Sequence, residues 1–309
     1  MVSRPVAVTV GLAADRAFGE PRGIPHPVAA FGAAMGHVER HLYGETRPRG
    51  AVYAATGVAV GAAAGKLGRS TALATYVAVA GRMLGDAAMA IGAALDAGDL
   101  GAARELLPTL VGRDPTTLDE KEICRAVVES VAENTVDAVI APMLWATLCG
   151  APGALGYRTV NTMDAMVGHR SDRYRKFGWA AARLDDAANW VPARVTALLV
   201  AAARPSRAAA VVRTVHRDAA THPSPNAGVA EAAFAAALGL RLGGENRYGY
   251  RIDLRPSLGD GRPPDRADIG RAVRLSRDTS ALLAAALLAA ALLACVAATS
   301  RRPAKRETP

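Results

Sequence analysis

Apolar residues in this chain come in runs rather than alternations. Thr279 to Ser300 are 22 consecutive uncharged positions dominated by Leu and Ala, followed by Arg301, Arg302, Lys305 and Arg306. A run of that length with a basic flank predicts a transmembrane helix. A second uncharged run, Ala138 to Tyr157, is interrupted by Pro142, Gly150, Pro152 and Gly153. Its unbroken first half, Ala138 to Cys149, spans only ~18 Å at ~1.5 Å per residue, against a hydrocarbon core ~30 Å thick. That run predicts a kinked span or a re-entrant hairpin. Shorter runs cover Ala51 to Gly65, Ser70 to Gly81, Val195 to Ala203 and Ala227 to Leu240, the last with Glu231 as its single ionisable residue. The pattern predicts an all-α, polytopic integral membrane protein, one domain over residues 1–309, seated in a lipid bilayer.

Composition sharpens this. The chain has 309 residues, of which 51% are hydrophobic, 21% charged and only 5% aromatic, which excludes a disordered chain. A core so poor in aromatics must be built mainly from Ala, Val and Leu, and alanine favours close-packed helices. Cys124, Cys149 and Cys295 lie far apart with no neighbouring His, so neither a disulfide framework nor a zinc site is supported. The net charge is +9, carried almost entirely by Arg. Basicity alone fits nucleic acid, anionic lipid or phosphorylated ligands; the hydrophobic runs favour a membrane setting and no nucleic-acid partner.

Three polar segments carry candidate chemistry. In Thr116 to Val139, Thr117 and Glu120 have capping-box spacing and predict a helix start. On that helix Glu122, Glu129 and Glu133 share a face, with Asp137 one turn on. Arg125 offsets Glu122 and Glu129 but not Glu133 and Asp137, and a hard cation such as Mg²⁺ with nucleotide phosphates would balance them. A solvated helix face is the simpler account of that spacing. In Val160 to Arg194, Asn161-x-x-Asp164 and Asp185-Asp186-x-x-Asn189 flank a cationic run from His169 to Lys176 that includes Arg170 and Arg173. Carboxylates beside guanidiniums suit a metal–phosphate substrate, and a basic juxtamembrane loop explains the same residues equally well. In Thr221 to Tyr250, Pro223 and Pro225 stop a helix and Asn226 is a natural N-cap for the apolar helix carrying Glu231. Gly243-Gly244 before Glu245, Asn246 and Arg247 predicts a pliable polar loop. Asp99 is expected to start a short helix after Asp96.

Together these segments resemble the membrane-bound adenosylcobinamide-phosphate synthases of cobalamin biosynthesis, the CobD/CbiB family. The resemblance rests on ESVAENTVDAVIAP, VNTMDAMVGHR, FGWAAARLDDAANWVPAR and HPSPNAG, in family order, and on Gly19 to Gly32. Glu20 departs from the usual GDP triplet, keeping an acid there. The resemblance implies ATP-dependent amide ligation of adenosylcobyric acid with (R)-1-amino-2-propanol or its O-phosphate. It implies ATP and Mg²⁺ as cofactors, a cytoplasmic active site, and contact with other late cobalamin-pathway membrane enzymes. Under it, Glu129, Glu133 and Asp137 are the metal candidates, with Asp185 and Asp186 as competitors. Arg170, Arg173 and Arg247, with Asn226 and Asn246, are candidates for the nucleotide. Asp164, Glu231 and Glu245 are candidates for the base or the amine. Two other classes fit the residues: a Mg²⁺-dependent membrane prenyltransferase, although a repeated DxxxD motif is missing, and a non-catalytic corrinoid carrier or scaffold.

Overall fold

The computed structural model describes residues 2–300 apart from 21, 22, 24, 25, 113, 170, 249 and 250, and its described side chains exclude those of 245–248, 251–253, 299 and 300. Helices dominate, as the Ala-rich runs require. They are α1 (Arg4–Phe18), α2 (Pro27–Leu42), α3 (Arg47–Gly68), α4 (Thr71–Ala78), α5 (Gly81–Asp96), α6 (Leu100–Leu106) and α7 (Glu120–Thr135). After a π-helical turn (Val136–Ile140) come α8 (Ala141–Val167), α9 (Tyr174–Phe177), α10 (Trp179–Ala203), α11 (Ala208–Asp218), α12 (Ala227–Leu238) and α13 (Arg266–Ser300). Among the described residues, the departure from an all-helical chain is one antiparallel hairpin, β1 (Leu242–Tyr248) and β2 (Arg251–Leu258). The expected loop at Gly243-Gly244 is therefore a strand, bulged between Leu242 and Gly244.

Local signals fixed several helix starts. Asp99 caps α6, its Oδ1 accepting from Ala102 N at 2.8 Å. The capping box lies two residues beyond the expected Thr117/Glu120 pair. Asp119 accepts from Glu122 N and Glu122 accepts from Asp119 N, both at 2.8 Å. An ionised carboxylate is favoured over a hydroxyl at the positive end of the helix dipole. Asn226 does stand at the N-cap position of α12 but makes no capping hydrogen bond; Ser224 Oγ accepts from Ala227 N instead, at 3.2 Å.

Among the described residues, three helical stretches are long and apolar enough to cross a membrane: residues 71–96, 120–167 and 266–298. The bent pair Trp179–Ala203 and Pro205–Thr221, at 111°, makes a fourth if it counts as one broken span. This is an all-α, polytopic membrane architecture. The apolar half of α13 is bare of protein, with Leu292 and Leu293 exposed; that surface suits lipid contact. Its polar first half packs against α5 and α7. By contrast α12 is buried at every position and, at ~18 Å, is too short to span.

Residues 120–167 do not run straight. Gly150 adopts φ 67°, ψ −151°, a conformation open to glycine, and the chain turns back there. Tyr157 Oη then donates to the Asp137 carbonyl at 3.2 Å, and Asn161 Nδ2 to Asp137 Oδ2 at 3.3 Å. A straight helix would hold residues 137 and 157 ~30 Å apart. Ala138 to Tyr157 is thus a hairpin, the shape the re-entrant reading expects. Its returning arm lies on α3, where Gly57, Gly61 and Gly65 recur every fourth residue. A Cβ on Gly61 would stand 2.6 Å from Thr159 Cγ2 and 2.8 Å from the Leu155 carbonyl oxygen, the close backbone approach that small-residue stripes allow in membranes.

Two outcomes follow from this packing. Gly61→Leu should destabilise the detergent-solubilised protein by about 1–3 kcal/mol, read as a lower melting temperature. Gly68→Ala, whose Cβ meets nothing within 4 Å, should leave it unchanged. Single cysteines at Thr117 and at Ser171, both exposed, should react with an impermeant thiol reagent from the same face of the membrane in a cysteine-free background. Labelling from opposite faces would refute the re-entrant hairpin.

Candidate active site

The hairpin brings two sequence motifs into one hydrogen-bonded ring. Asn161 Nδ2, on the returning arm, lies 3.3 Å from Asp137 Oδ2 and 3.4 Å from Asp185 Oδ1, so one amide bridges two carboxylates. Asn189 Nδ2 donates to Asp185 Oδ2 at 3.0 Å, and Asn189 Oδ1 accepts from Tyr157 Oη at 2.8 Å. The same tyrosine closes the ring on the Asp137 carbonyl. That carbonyl is available because the chain widens to π-helix at Val136–Ile140, and π-turns free backbone groups from the α-ladder. Ala138 supplies a second freed carbonyl, which accepts from Ala80 N at 2.9 Å at the break between α4 and α5.

Beside the ring opens a cleft of about 860 Å³. Glu133, Asp137, Asp164, Asp185 and Asp186 line it, with His169 and Ser171 at the end of α8 and His222 to Asn226 ahead of α12. Gly168 leaves room for Asp164, since a Cβ there would fall 1.9 Å from Asp164 Oδ1. Asn226 ties the walls together: its Nδ2 donates to the Asp186 carbonyl at 2.8 Å and its Oδ1 accepts from Arg194 at 3.0 Å. Gly228 lets the His222 loop lie on α12, where a Cβ would meet His222 Cβ at 2.4 Å. Each residue of HPSPNAG that bonds or yields space thus has a physical task.

The opposite charge comes from β2. Arg255 lines the cleft and donates to His222 Nε2, while its own Nε is buried with no hydrogen-bond partner. His222 Nδ1 lies 3.2 Å from the Ser224 carbonyl oxygen and 3.1 Å from Ser224 N, so the turn at 222–224 fixes the ring. Glu231 lies beneath, its Oε1 3.6 Å from His222 Nε2. Burial, and then the Arg255 charge, hold His222 below the ordinary imidazole pKa.

The structure therefore gathers Glu133, Asp137, Asp164, Asp185, Asp186 and Asn226 around one cleft, with Glu231 under its floor. Glu129 is directed elsewhere: its Oε1 accepts from Gly243 N at 2.9 Å, and Arg125 holds the same turn through the Gly243 carbonyl. Arg173 does not line the cleft, since it pairs with Glu39 at 3.1 Å and stacks on Tyr43 at 4.2 Å. Arg170 and the side chains of Glu245, Asn246 and Arg247 lie outside the described residues. Among the described residues no group of three or more His, Cys, Asp or Glu is arranged to hold a metal ion. The cleft is consequently no all-protein metal cage. A carboxylate pair does fit Mg²⁺, which takes one or two acids and keeps its waters and substrate phosphates. Sequence reasoning passed over Arg255, because a strand arginine far from every acidic motif gives no spacing signal.

His222 yields a sign-defined expectation. Its folded pKa lies below the unfolded value of about 6.5, so the stability it contributes is present above that value and lost as pH falls through the folded pKa. Melting temperatures measured from about pH 7 to about pH 5 should fall more steeply for the native protein than for His222→Gln.

Comparison with known proteins identifies the family. The family model described as CobD/Cbib protein matches residues 8–276. A Mycobacterium tuberculosis protein named "Cobalamin biosynthesis protein CobD" is 51% identical over 290 residues, covering 89% of this chain and 92% of its own length. A Geobacter metallireducens protein of the same name is 41% identical over 303 residues, covering 92% and 95%. A Rhodobacter capsulatus namesake is 47% identical over 200 residues, covering 64% and 63%. No solved structure matches the chain. With the family model spanning most of its length and the ring residues inside the match, the chain belongs to the CobD/Cbib family.

Proposed function

We propose that this chain acts in cobalamin biosynthesis as an amide-forming ligase, joining a propionate carboxyl of adenosylcobyric acid to (R)-1-amino-2-propanol or its O-phosphate with ATP. The observation that carries the reading is the acidic cleft, in which Asp137 and Asp185 share one amide opposite an Arg255 Nε that lacks a protein partner. A carboxylate is a poor acyl donor. Its oxygen attacks the γ-phosphorus of ATP and ADP leaves; the amine nitrogen then attacks the carbonyl carbon of the acyl phosphate, inorganic phosphate leaves, and the nitrogen gives up a proton to the base. Such a path needs acids for the metal that accompanies the nucleotide, a cation for developing phosphate charge, and a base for the amine proton.

The cleft supplies each. Asp137 and Asp185, with Asp186 and Glu133 adjacent, would hold Mg²⁺, which supplies charge neutralisation on the phosphates when bound. Arg255 is placed to donate to a phosphate oxygen, where a guanidinium offers planar, directed N–H groups. Asp164 faces the cleft and is the base in this reading. Glu231 lies beneath His222, with its Oε1 3.6 Å from Nε2, and is outside the reacting groups in this reading. ATP and the amine are cytoplasmic, so the cleft opens on that side.

The test is a mass-resolved assay on membranes given adenosylcobyric acid, the amine in each form, Mg²⁺ and ATP. A product heavier by the amine less one water, formed only with ATP, is expected. Asp185→Asn should abolish it, and Arg255→Gln should raise the KM for ATP. Asp164→Asn should lower kcat by about 100- to 10,000-fold while leaving nucleotide binding intact. Corrinoid binding without product, and tolerant of Asp185→Asn, would replace the ligase with a carrier.

A further inference from the structure

None of the described residues between Gly19 and Gly32 lines the acidic cleft. Glu20 instead lines a second cavity, of about 760 Å³, on the far side of Asn161. The end of α1, the start of α5, the turn after α6 and the returning arm of the hairpin enclose it, and its walls are largely apolar, with Met83, Leu84, Ala87 and Leu110 among them. Arg158 projects into this space, and its Nε is buried without a hydrogen-bond partner. Glu20 and Asp137 act on it electrostatically, yet neither is among its ion pairs or hydrogen bonds in the described residues. The neighbouring cation is already engaged, since Arg82 pairs with Asp86 at 3.4 Å and donates to the carbonyls of Arg16 and Ala17. A guanidinium nitrogen buried without a hydrogen-bond partner is costly, and beside a cavity at membrane depth it points to a ligand. The two cavities are one side chain apart: Asn161 lines this one and hydrogen-bonds Asp137 and Asp185 of the other. Asn134 lines this one and its neighbour Glu133 the other.

We infer that this second cavity binds a carboxylate carried on a large macrocycle with apolar faces and a polar rim, with Arg158 as its charge partner. The identity of that acid as the corrinoid rests on the ligase reading. The cavity then presents the acid beside the nucleotide cleft, with Asn161 and the ring as the partition between them.

The test uses the full chain in nanodiscs of neutral phosphatidylcholine, without ATP. Binding of adenosylcobyric acid and of adenosylcobinamide, whose carboxyl is already an amide, is followed by corrin absorbance. The native protein should prefer the acid by about 10- to 100-fold, the range of a buried charged hydrogen bond. Arg158→Gln should erase the preference while leaving adenosylcobinamide affinity unchanged. Ala90→Trp, at an exposed position on the cavity wall, should weaken both ligands. If Arg158→Gln fails to assemble, Arg158→Lys decides, because a compact ammonium lacks the planar fork and should lower the preference. An undiminished preference in these Arg158 variants, or no measurable binding of the acid to the native protein, overturns the inference. So does displacement of the acid by phosphatidylglycerol in the disc with the amide unaffected, which assigns Arg158 to a lipid phosphate. Turnover separates the two readings. Product formation with an unchanged preference in Arg158→Gln sinks this site alone, and an Arg158-dependent preference without product sinks the ligase alone.

Discussion

One amide group, that of Asn161, is the constraint on which the rest of the molecule turns. It lies between Asp137 and Asp185 at 3.3 and 3.4 Å, two acids from motifs 48 positions apart in the chain. Carboxylates brought together away from water repel, and each buried polar group left unmet costs free energy. Asn161 and Asn189 meet those needs with neutral donors, and Tyr157 completes the circuit through Asn189 and the Asp137 carbonyl. Neutral donors hold the acids in place without consuming their charge. The acids therefore stay available to a cation that arrives with substrate.

The same economy governs the backbone. Helical spans in lipid tolerate irregular turns only where freed N–H and C=O groups find partners in the protein. The π-turn at Val136–Ile140 and the break between α4 and α5 satisfy one another through Ala80 N and the Ala138 carbonyl. Broken helices at the centre of membrane proteins commonly mark ligand sites. Here the π-turn presents Asp137 to one cavity and Ala138 to the other. The hairpin that carries it is held by small residues, Gly57, Gly61 and Gly65, because backbones at that separation leave no space for a side chain.

The two cavities differ in kind. One is acidic, edged by an arginine of the β-hairpin; the other is largely apolar, with the unpartnered Arg158 Nε at its wall. That hairpin is anchored by Glu129 through Gly243 N, which explains why a glutamate of the acidic helix face turns away from the cleft. An amide ligase of the kind proposed must align a charged nucleotide with a bulky macrocyclic acid, and two chambers with a thin polar wall suit that requirement.

Much of this was legible in the chain. Uninterrupted Leu/Ala runs determined the helices and their membrane setting, because only a closed hydrogen-bond ladder is stable in hydrocarbon. The Pro and Gly residues of Ala138 to Tyr157 announced a break, a kinked span or a re-entrant hairpin, and the structure decided for the fold-back at Gly150. Helical spacing placed Glu133 with Asp137, and Asp185 with Asn189, on shared faces. What spacing could not decide was which acids meet, since contact between 137, 161 and 185 depends on three helices crossing at one level. For that reason Glu129 and Arg173, equal to their neighbours in sequence, were drawn off to Gly243 and Glu39. Asn226 stands at a cap position yet bonds Asp186 and Arg194, because the loop geometry gives Ser224 the shorter reach to the helix end. Arg255 and Arg158 carried no local signal at all. Their unpartnered nitrogens exist only once the surrounding helices close around them, and it is that tertiary enclosure, not residue type or spacing, that turned two ordinary arginines into candidate anion sites.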